Sequence, residues 1–336
     1  MRYVIYGAGG IGGVIGARLF KSGHEVALIA RGAHRDAIEA NGLRIVSADG
    51  SETLRIPVAG DPAALDLTSD DVVFLAMKGQ DTEDALEALV ACAPADIAVV
   101  CAQNGVANER AALRVFANVY GMCVMCPTGH LEPGVVEAYS SPVTGLLDVG
   151  RYPHGVDATA REIAAALVAS TFESEPREDI MRWKHQKLLM NLGNAIEAAC
   201  GPAARGSDVA RLALREGLAC FEAGGIDFVS RDEDLARRGD LLQIQDVSGR
   251  GRGGGSSWQS LARGTGTIET DYLNGEIVLL GRLHGVPTPV NAAVQRVARE
   301  LAASGAPPGS MSVDELLALV TAASSDAEAA NAQVTN

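Results

Sequence analysis

Two constellations of residues could do chemistry. In YGAGGIGG, Gly7, Gly9 and Gly12 stand at the spacing GxGxxG, directly after the apolar run RYVIY and at the start of a helical stretch. Glycines placed this way permit a tight turn, close approach of a pyrophosphate to the backbone, and capture of the anion by helix N–H groups. Gly7, Ala8, Gly9, Gly10, Ile11 and Gly12 are therefore expected to cradle a dinucleotide; the motif alone is weak, and its place between strand and helix gives it weight. The second constellation lies in WKHQKLLMNLGNAIEA, residues 183–198. At roughly 100° per residue, Lys187, Asn191 and Asn194 share one narrow helix face with Lys184 beside them, while Leu188, Leu192, Ala195, Ile196 and Ala199 take the other side. A solvated face is the plain alternative. Asparagine, however, is a poor interior helix residue because its side chain competes for backbone bonds, so two of them one turn beyond a lysine point to a designed polar surface, and whether it faces water or a ligand depends on the rest of the chain. A lysine ammonium can stabilise a developing alkoxide and then protonate it.

Around the glycine motif, further residues specify the ligand. The strand EVALIAR carries Glu25 at its start and ends in Arg31, where a cofactor with a free 2′-hydroxyl would call for Asp or Glu. Arginine can bind a 2′-phosphate through two parallel hydrogen bonds, with Arg35 nearby, so NADP is expected over NAD. Lys78 in AMKGQDT and Asn104 in AQNGVANE both stand at C-terminal strand ends. In an open parallel sheet that edge is the ligand crevice, and contact with cofactor and substrate explains the pair better than two solvated side chains.

The elements that must position these residues follow from periodicity. Apolar runs at 2–6, 25–31, 71–78, 97–105 and 119–125 alternate with helical stretches near 81–93 and 107–116, which implies a parallel sheet wrapped by helices. Beyond Pro176 the helical period dominates, over 180–200, 207–223, 232–243, 268–284, 288–304 and 313–323, broken by the Gly-rich loop GRGRGGGSS at 249–257. The expected class is α/β: an N-terminal domain with a parallel sheet at 1–178, an all-α domain at 179–323, and a frayed tail at 324–336 without apolar anchors. The chain of 336 residues is 47% hydrophobic, 4% aromatic and carries a net charge of −14, which argues against nucleic acid and anionic membrane surfaces as partners. No apolar run is long enough to span a bilayer. Cysteines at 92, 101, 123, 126, 200 and 220 include one CxxC without a second pair, read as core thiols of a reduced cytoplasmic protein. No His/Asp/Glu cluster stands at metal-ligand spacing, so no metal is expected.

Together these segments resemble the ketopantoate reductase (2-dehydropantoate 2-reductase) family. The resemblance rests on YGAGGIGG, AMKGQDT, AQNGVANE, WKHQKLLMNLGN and SSWQSLARGTGTIETDYLNGEIV, and covers nearly the whole chain apart from the tail. It implies a Rossmann domain joined to a helical domain, NADPH as cofactor, a small 2-oxo acid as substrate, reduction of its ketone to a hydroxyl, and a homodimer among the expected assemblies. Lys187, four residues before Asn191, matches the family lysine and is the implied proton donor, with Asn191 binding substrate; Lys184 does not match and is expected to be a peripheral surface charge. The second family asparagine comes four residues after the first, whereas here Asn194 follows after three. Glu269 matches the family glutamate, expected near the lysine and the nicotinamide or substrate, where it would keep the lysine charged. Ser257, with Ser256 as its neighbour, takes the place of the serine that binds the substrate carboxylate; the glycines before it are expected to let backbone N–H groups approach that anion. SSWQS departs from the family pattern, with Ser260 where an acid is usual, so a 2-oxo acid other than ketopantoate stays open. Two other readings remain beside it: an opine-type dehydrogenase, for which no His–Asp pair is found, and a non-catalytic dinucleotide sensor, which the presence of Lys187 and Glu269 disfavours.

Overall fold

A β-rich pentapeptide at the N-terminus starts the central sheet of the computed structural model, which describes residues 1–247, 249 and 251–334. The strands are β1 (Arg2–Tyr6), β2 (Val26–Ile29), β3 (Leu43–Ser47), β4 (Gly50–Leu54), β5 (Val58–Ala59), β6 (Asp71–Leu75), β7 (Ala98–Cys101), β8 (Asn118–Met125), β9 (Thr128–Gly129), β10 (Val135–Ala138) and β11 (Leu146–Arg151). Seven of them form one sheet in the order β11-β8-β7-β6-β1-β2-β5. All its pairings are parallel except β11 against β8. Strands β2, β6 and β7 are buried throughout, as expected when both faces are covered. The helix Gly10–Lys21 lies close on the sheet because Gly12 and Gly16 present no side chain there. A Cβ on Gly16 would stand 2.8 Å from Leu28 Cδ2. A second sheet, β4-β3-β10-β9, has no counterpart in the sequence reading.

The chain divides into two units: Met1–Gln186 with Phe228–Arg252, and Lys187–Asp227 with Gly253 onward. The sequence reading placed a single boundary at 178/179; the chain instead crosses at 186/187, 227/228 and 252/253. The first crossing falls inside the helix Ile180–Asn191. Its start is seated on the first unit by two glycines paired in register, Gly121 of β8 and Gly150 of β11. A Cβ on Gly121 would lie 3.2 Å from Ile180 Cγ2, and one on Gly150 would lie 3.0 Å from Ile180 Cβ. The segment Phe228–Arg252 belongs to the first unit because Arg237 forks onto the buried Asp148 of β11 at 2.8 and 3.1 Å. Gln245 N–H also donates to Tyr139 C=O at 2.8 Å, and Val247 is buried with Val46 and Tyr139.

In the second unit the helices Gly193–Cys200, Asp208–Ala223, Asn274–His284, Pro289–Ala303 and Val313–Val334 surround a core of Ile196, Val209, Ala213, Val294, Val297 and Leu316. Caps set their limits: the Ser207 hydroxyl accepts from Ala210 N–H, and Gly285 ends its helix in the left-handed region. Within the expected tail the backbone is helical as far as Val334. Loss of apolar anchors ended the pattern, but Ala-rich sequence without Gly or Pro keeps high helix propensity. The last two tail residues, and Ser248 and Arg250 of the Gly-rich loop, lie outside the described residues.

Candidate active site

The glycine loop is built as the motif requires. Gly7 has φ +102°, and a Cβ there would stand 2.7 Å from Met77 N. A Cβ on Gly12 would meet Gly7 O, Ile5 Cγ2 at 2.8 Å and Ala76 Cβ at 2.9 Å. Gly9 differs: a Cβ there would find only His130 Cδ2, at 3.8 Å. Protein packing does not demand glycine at 9, whereas close approach of a pyrophosphate does. The helix Gly10–Lys21 has no acid in its first turn, and the N–H groups of Gly10, Ile11 and Gly12 have no carbonyl one turn earlier. A dinucleotide therefore fits these residues. His34, unremarked in the sequence, holds the loop from outside. Its Nδ1 accepts from Gly134 N–H at 2.9 Å, so Nε2 carries the proton and donates to Ala8 C=O at 2.7 Å.

Arg31 follows β2 with its side chain 69% exposed, and its guanidinium is 3.3 Å from the Asp81 carboxylate. Both partners are exposed, so the pair is weak and leaves Arg31 available to a phosphate. Arg35 instead pairs with the adjacent Asp36 at 2.7 Å. Lys78 caps the short 3₁₀ turn Gly79–Asp81 after β6, and Asn104 opens the turn after β7, where Gly105 has φ +78°. A buried chain fastens these two loops: Gln103 Nε2 donates to Thr82 Oγ1 at 2.8 Å, and Thr82 Oγ1 to Asn108 Oδ1 at 2.9 Å. Asn108 Nδ2 returns to Asn104 C=O at 3.1 Å. The first unit thus gathers Gly7–Gly12, Arg31, Lys78 and Asn104 at the C-terminal edge of β1, β2, β6 and β7.

The two lysines of the polar helix face have different fates. Lys184 is not peripheral: it is 3% exposed, with Nζ 2.6 Å from Oε1 of the fully buried Glu109. It also donates to the carbonyls of Gln103 at 2.8 Å and Met122 at 3.2 Å. Neither Glu109 oxygen takes a hydrogen bond of acceptable geometry, so charge rather than directional bonding holds this carboxylate. Burial, reinforced by Glu109 and opposed by Lys184, pushes the neighbouring Cys101 thiol well above its ordinary range. Helical phase names a face but not what stands opposite, which is why a surface reading of Lys184 fails. Lys187, one turn on, is half-buried, and Asn191 is buried.

The expected continuous helix 180–200 is interrupted at Leu192, between Ile180–Asn191 and Gly193–Cys200. There Leu192 N–H turns back to Leu189 C=O at 3.4 Å, three residues earlier, and Leu192 C=O accepts from Asn274 Nδ2 at 3.1 Å. Asn274 also donates to Asn291 Oδ1 at 3.0 Å and accepts from Thr270 Oγ1 at 3.4 Å. Asn291 reaches the Glu216 carboxylate at 2.7 Å. Burial raises the pKa of Glu216 against the lowering effect of its bonds from Asn291 and Val290. Thr270 adjoins the buried Glu269 in the turn Glu269–Tyr272, so this network ties the Asn191–Asn194 segment to the glutamate turn.

Asn194 is buried, and its Oδ1 accepts from Arg205 Nη2 at 2.5 Å. The same nitrogen donates to Glu197 Oε2 at 2.6 Å, and Glu197 Oε2 accepts Gly255 N–H at 3.2 Å. One N–H of the Gly-rich loop, that of Gly255, thus meets the protein's own carboxylate. Gly253 and Gly255 also serve packing: a Cβ on Gly253 would stand 2.6 Å from the Trp258 ring, and one on Gly255 would stand 2.8 Å from Glu197 Oε2. Ser257 is 1% exposed and its hydroxyl has no hydrogen-bond partner; the Ser256 hydroxyl likewise has none. Such buried hydroxyls are uncommon and are places for a ligand to bond. The sequence reading missed Glu197 and Arg205. A buried glutamate three residues after Asn194 was the available signal.

Residues 3–153 match the family described as ketopantoate reductase PanE/ApbA, and residues 179–302 match its C-terminal region. The chain belongs to the ketopantoate reductase family. It is an oxidoreductase, and NADPH is the family's cofactor. A 2-dehydropantoate 2-reductase from Mesorhizobium japonicum is 30% identical over 90% of this chain and 98% of its own. A ketopantoate reductase structure from Ralstonia eutropha JMP134 aligns with TM-score 0.73 at 28% identity, over 91% of this chain and 99% of its own. A D-mandelate dehydrogenase solved with NADH and anilino(oxo)acetate aligns with TM-score 0.77 at 23% identity, over 91% and 99% of the two chains, and shares the fold. Among the described residues no helix is long and apolar enough to cross a membrane, and no group of three or more His, Cys, Asp or Glu is arranged to hold a metal.

Proposed function

We propose that the chain reduces the ketone of a 2-oxo acid to a hydroxyl with NADPH, and that the substrate is 2-dehydropantoate, converted to pantoate for pantothenate synthesis. The observation that supports this reading is the placement of the two lysines: Lys184 is buried against Glu109, whereas Lys187, the lysine at the family spacing, is half-buried one turn on and one turn before the buried Asn191. In this reading Gly7–Gly12 hold the pyrophosphate and Arg31 the 2′-phosphate, with Lys78 and Asn104 at the cofactor and substrate. Bound NADPH supplies the hydride to the ketone carbon. Lys187 gives the proton to the ketone oxygen and stabilises charge there; Glu269 keeps that lysine protonated and borders the nicotinamide. Asn191, Asn194 and Ser257 orient the acid. The departures around Ser260 favour, as a second reading, a paralogue acting on another 2-oxo acid. The six cysteines, all free, support a cytoplasmic location, and exposed Leu214, Leu218, Leu279 and Leu283 on two packed helices support a homodimer. Following NADPH oxidation by absorbance against ketopantoate and a panel of other 2-oxo acids tests the reading. Turnover of ketopantoate above all others is expected, and absence of turnover with every 2-oxo acid would overturn it.

A further inference from the structure

Arg205 and Glu197 have no part in the chemistry just described, yet Arg205 grips one of its residues, Asn194, and Glu197 grips the backbone two residues before another, Ser257. One guanidinium nitrogen, Nη2, serves both Asn194 Oδ1 and Glu197 Oε2, at 2.5 and 2.6 Å. Glu197 is buried, whereas Arg205 is 41% exposed, so the buried carboxylate is neutralised by a cation that arrives from the surface. Arginine only donates, so the Asn194 atom facing it must be the oxygen, which turns Nδ2 away as the amide's remaining donor. Through Gly255 N–H, Glu197 also fixes the residue that precedes the helix Ser256–Ala262, whose Ser257 hydroxyl is buried without a partner. Gly255 fits against this pair only because it lacks a Cβ.

We propose that Arg205–Glu197 is a positioning pair: it sets the donor face of Asn194 and the seat of Ser257, and so determines affinity for the oxo acid without touching the reacting atoms. This rests on the oxo-acid reading. It predicts that Arg205→Ala raises KM for the oxo acid about 10–100-fold, the range for hydrogen bonds to charged groups, while kcat changes less than about threefold. KM for NADPH stays unchanged. Arg205→Lys, which keeps a cation in reach of both oxygens, restores most of the affinity. Glu197→Gln raises KM in the same direction, because the charge that draws Arg205 inward is gone.

Steady-state kinetics on the unmodified enzyme and the three variants, with melting temperatures as folding controls, read this out. A KM for the oxo acid that does not move in Arg205→Ala overturns the proposal, as does an equal rise for NADPH or a loss confined to kcat. Should the unmodified enzyme turn over no 2-oxo acid, the functional reading fails separately. The pair is then judged by NMR on the Asn194 side-chain amide: its proton resonances shift in Arg205→Ala if Arg205 orients it, and stay in place if the pair is not a positioning device.

Discussion

Removing the Lys184 ammonium should damage the fold rather than the chemistry. In Lys184→Ala, Glu109 stays fully buried with its charge uncompensated, and the carbonyls of Gln103 and Met122 lose a donor. Breaking a buried ion pair by deleting one partner costs about 3–5 kcal/mol, which in a unit of this size lowers the melting temperature by about 6–20 °C. Replacing both partners with apolar residues, Lys184→Met with Glu109→Leu, removes the stranded charge and should recover much of the loss. Thermal melts and urea unfolding followed by circular dichroism measure both, with kcat taken well below the melting transition, where Lys184→Ala should keep most of its rate. A Lys184→Ala protein melting within about 2 °C of the wild type would show that the pair contributes little and refute the reasoning.

Arg31→Ala should weaken NADPH binding by about 1–3 kcal/mol and leave NADH nearly unchanged, since the lost contact is to the 2′-phosphate; equal weakening in fluorescence titrations with both cofactors contradicts the assignment. Gly9→Ala and Gly12→Ala should separate folding from binding. The first meets no protein atom closer than 3.8 Å, so it should melt normally but bind NADPH poorly; the second forces Ile5 and Ala76 aside and should lower the melting temperature. Ser257→Ala should raise KM for the oxo acid with little change in that for NADPH, and a larger effect from Ser256→Ala would place the carboxylate contact one residue earlier.

Much of the sheet was legible because its central strands are continuous apolar runs punctuated by glycine and strand-end polar residues: β1, β2, β6, β7 and β8 appear where the runs do. The second sheet was not. Strand β4 is exposed along most of its length and β9 has two residues, so neither carries a periodic signal. The helix that carries the two lysines was visible as a polar line, but its interruption at Leu192, where the distant Asn274 meets the carbonyl, was not. The same limit hid Glu109 as the partner of Lys184, and Arg205 as the partner of Asn194: spacing along one element says which side chains share a face, and only the fold says what they meet. Of the helix expected over 232–243 only Arg231–Arg238 forms, and the ion pair of Arg237 with Asp148 of the first unit is a long-range contact that no helical period announces.

The most direct test of the account is kcat for Lys187→Ala with NADPH and ketopantoate. If Lys187 delivers the proton, kcat should fall about 10²–10⁴-fold, the usual loss for a general acid, while NADPH affinity and melting temperature stay near wild type. A Lys187→Ala enzyme that keeps its rate within a few-fold of wild type would contradict the division of labour between the two lysines on which the proposed mechanism stands.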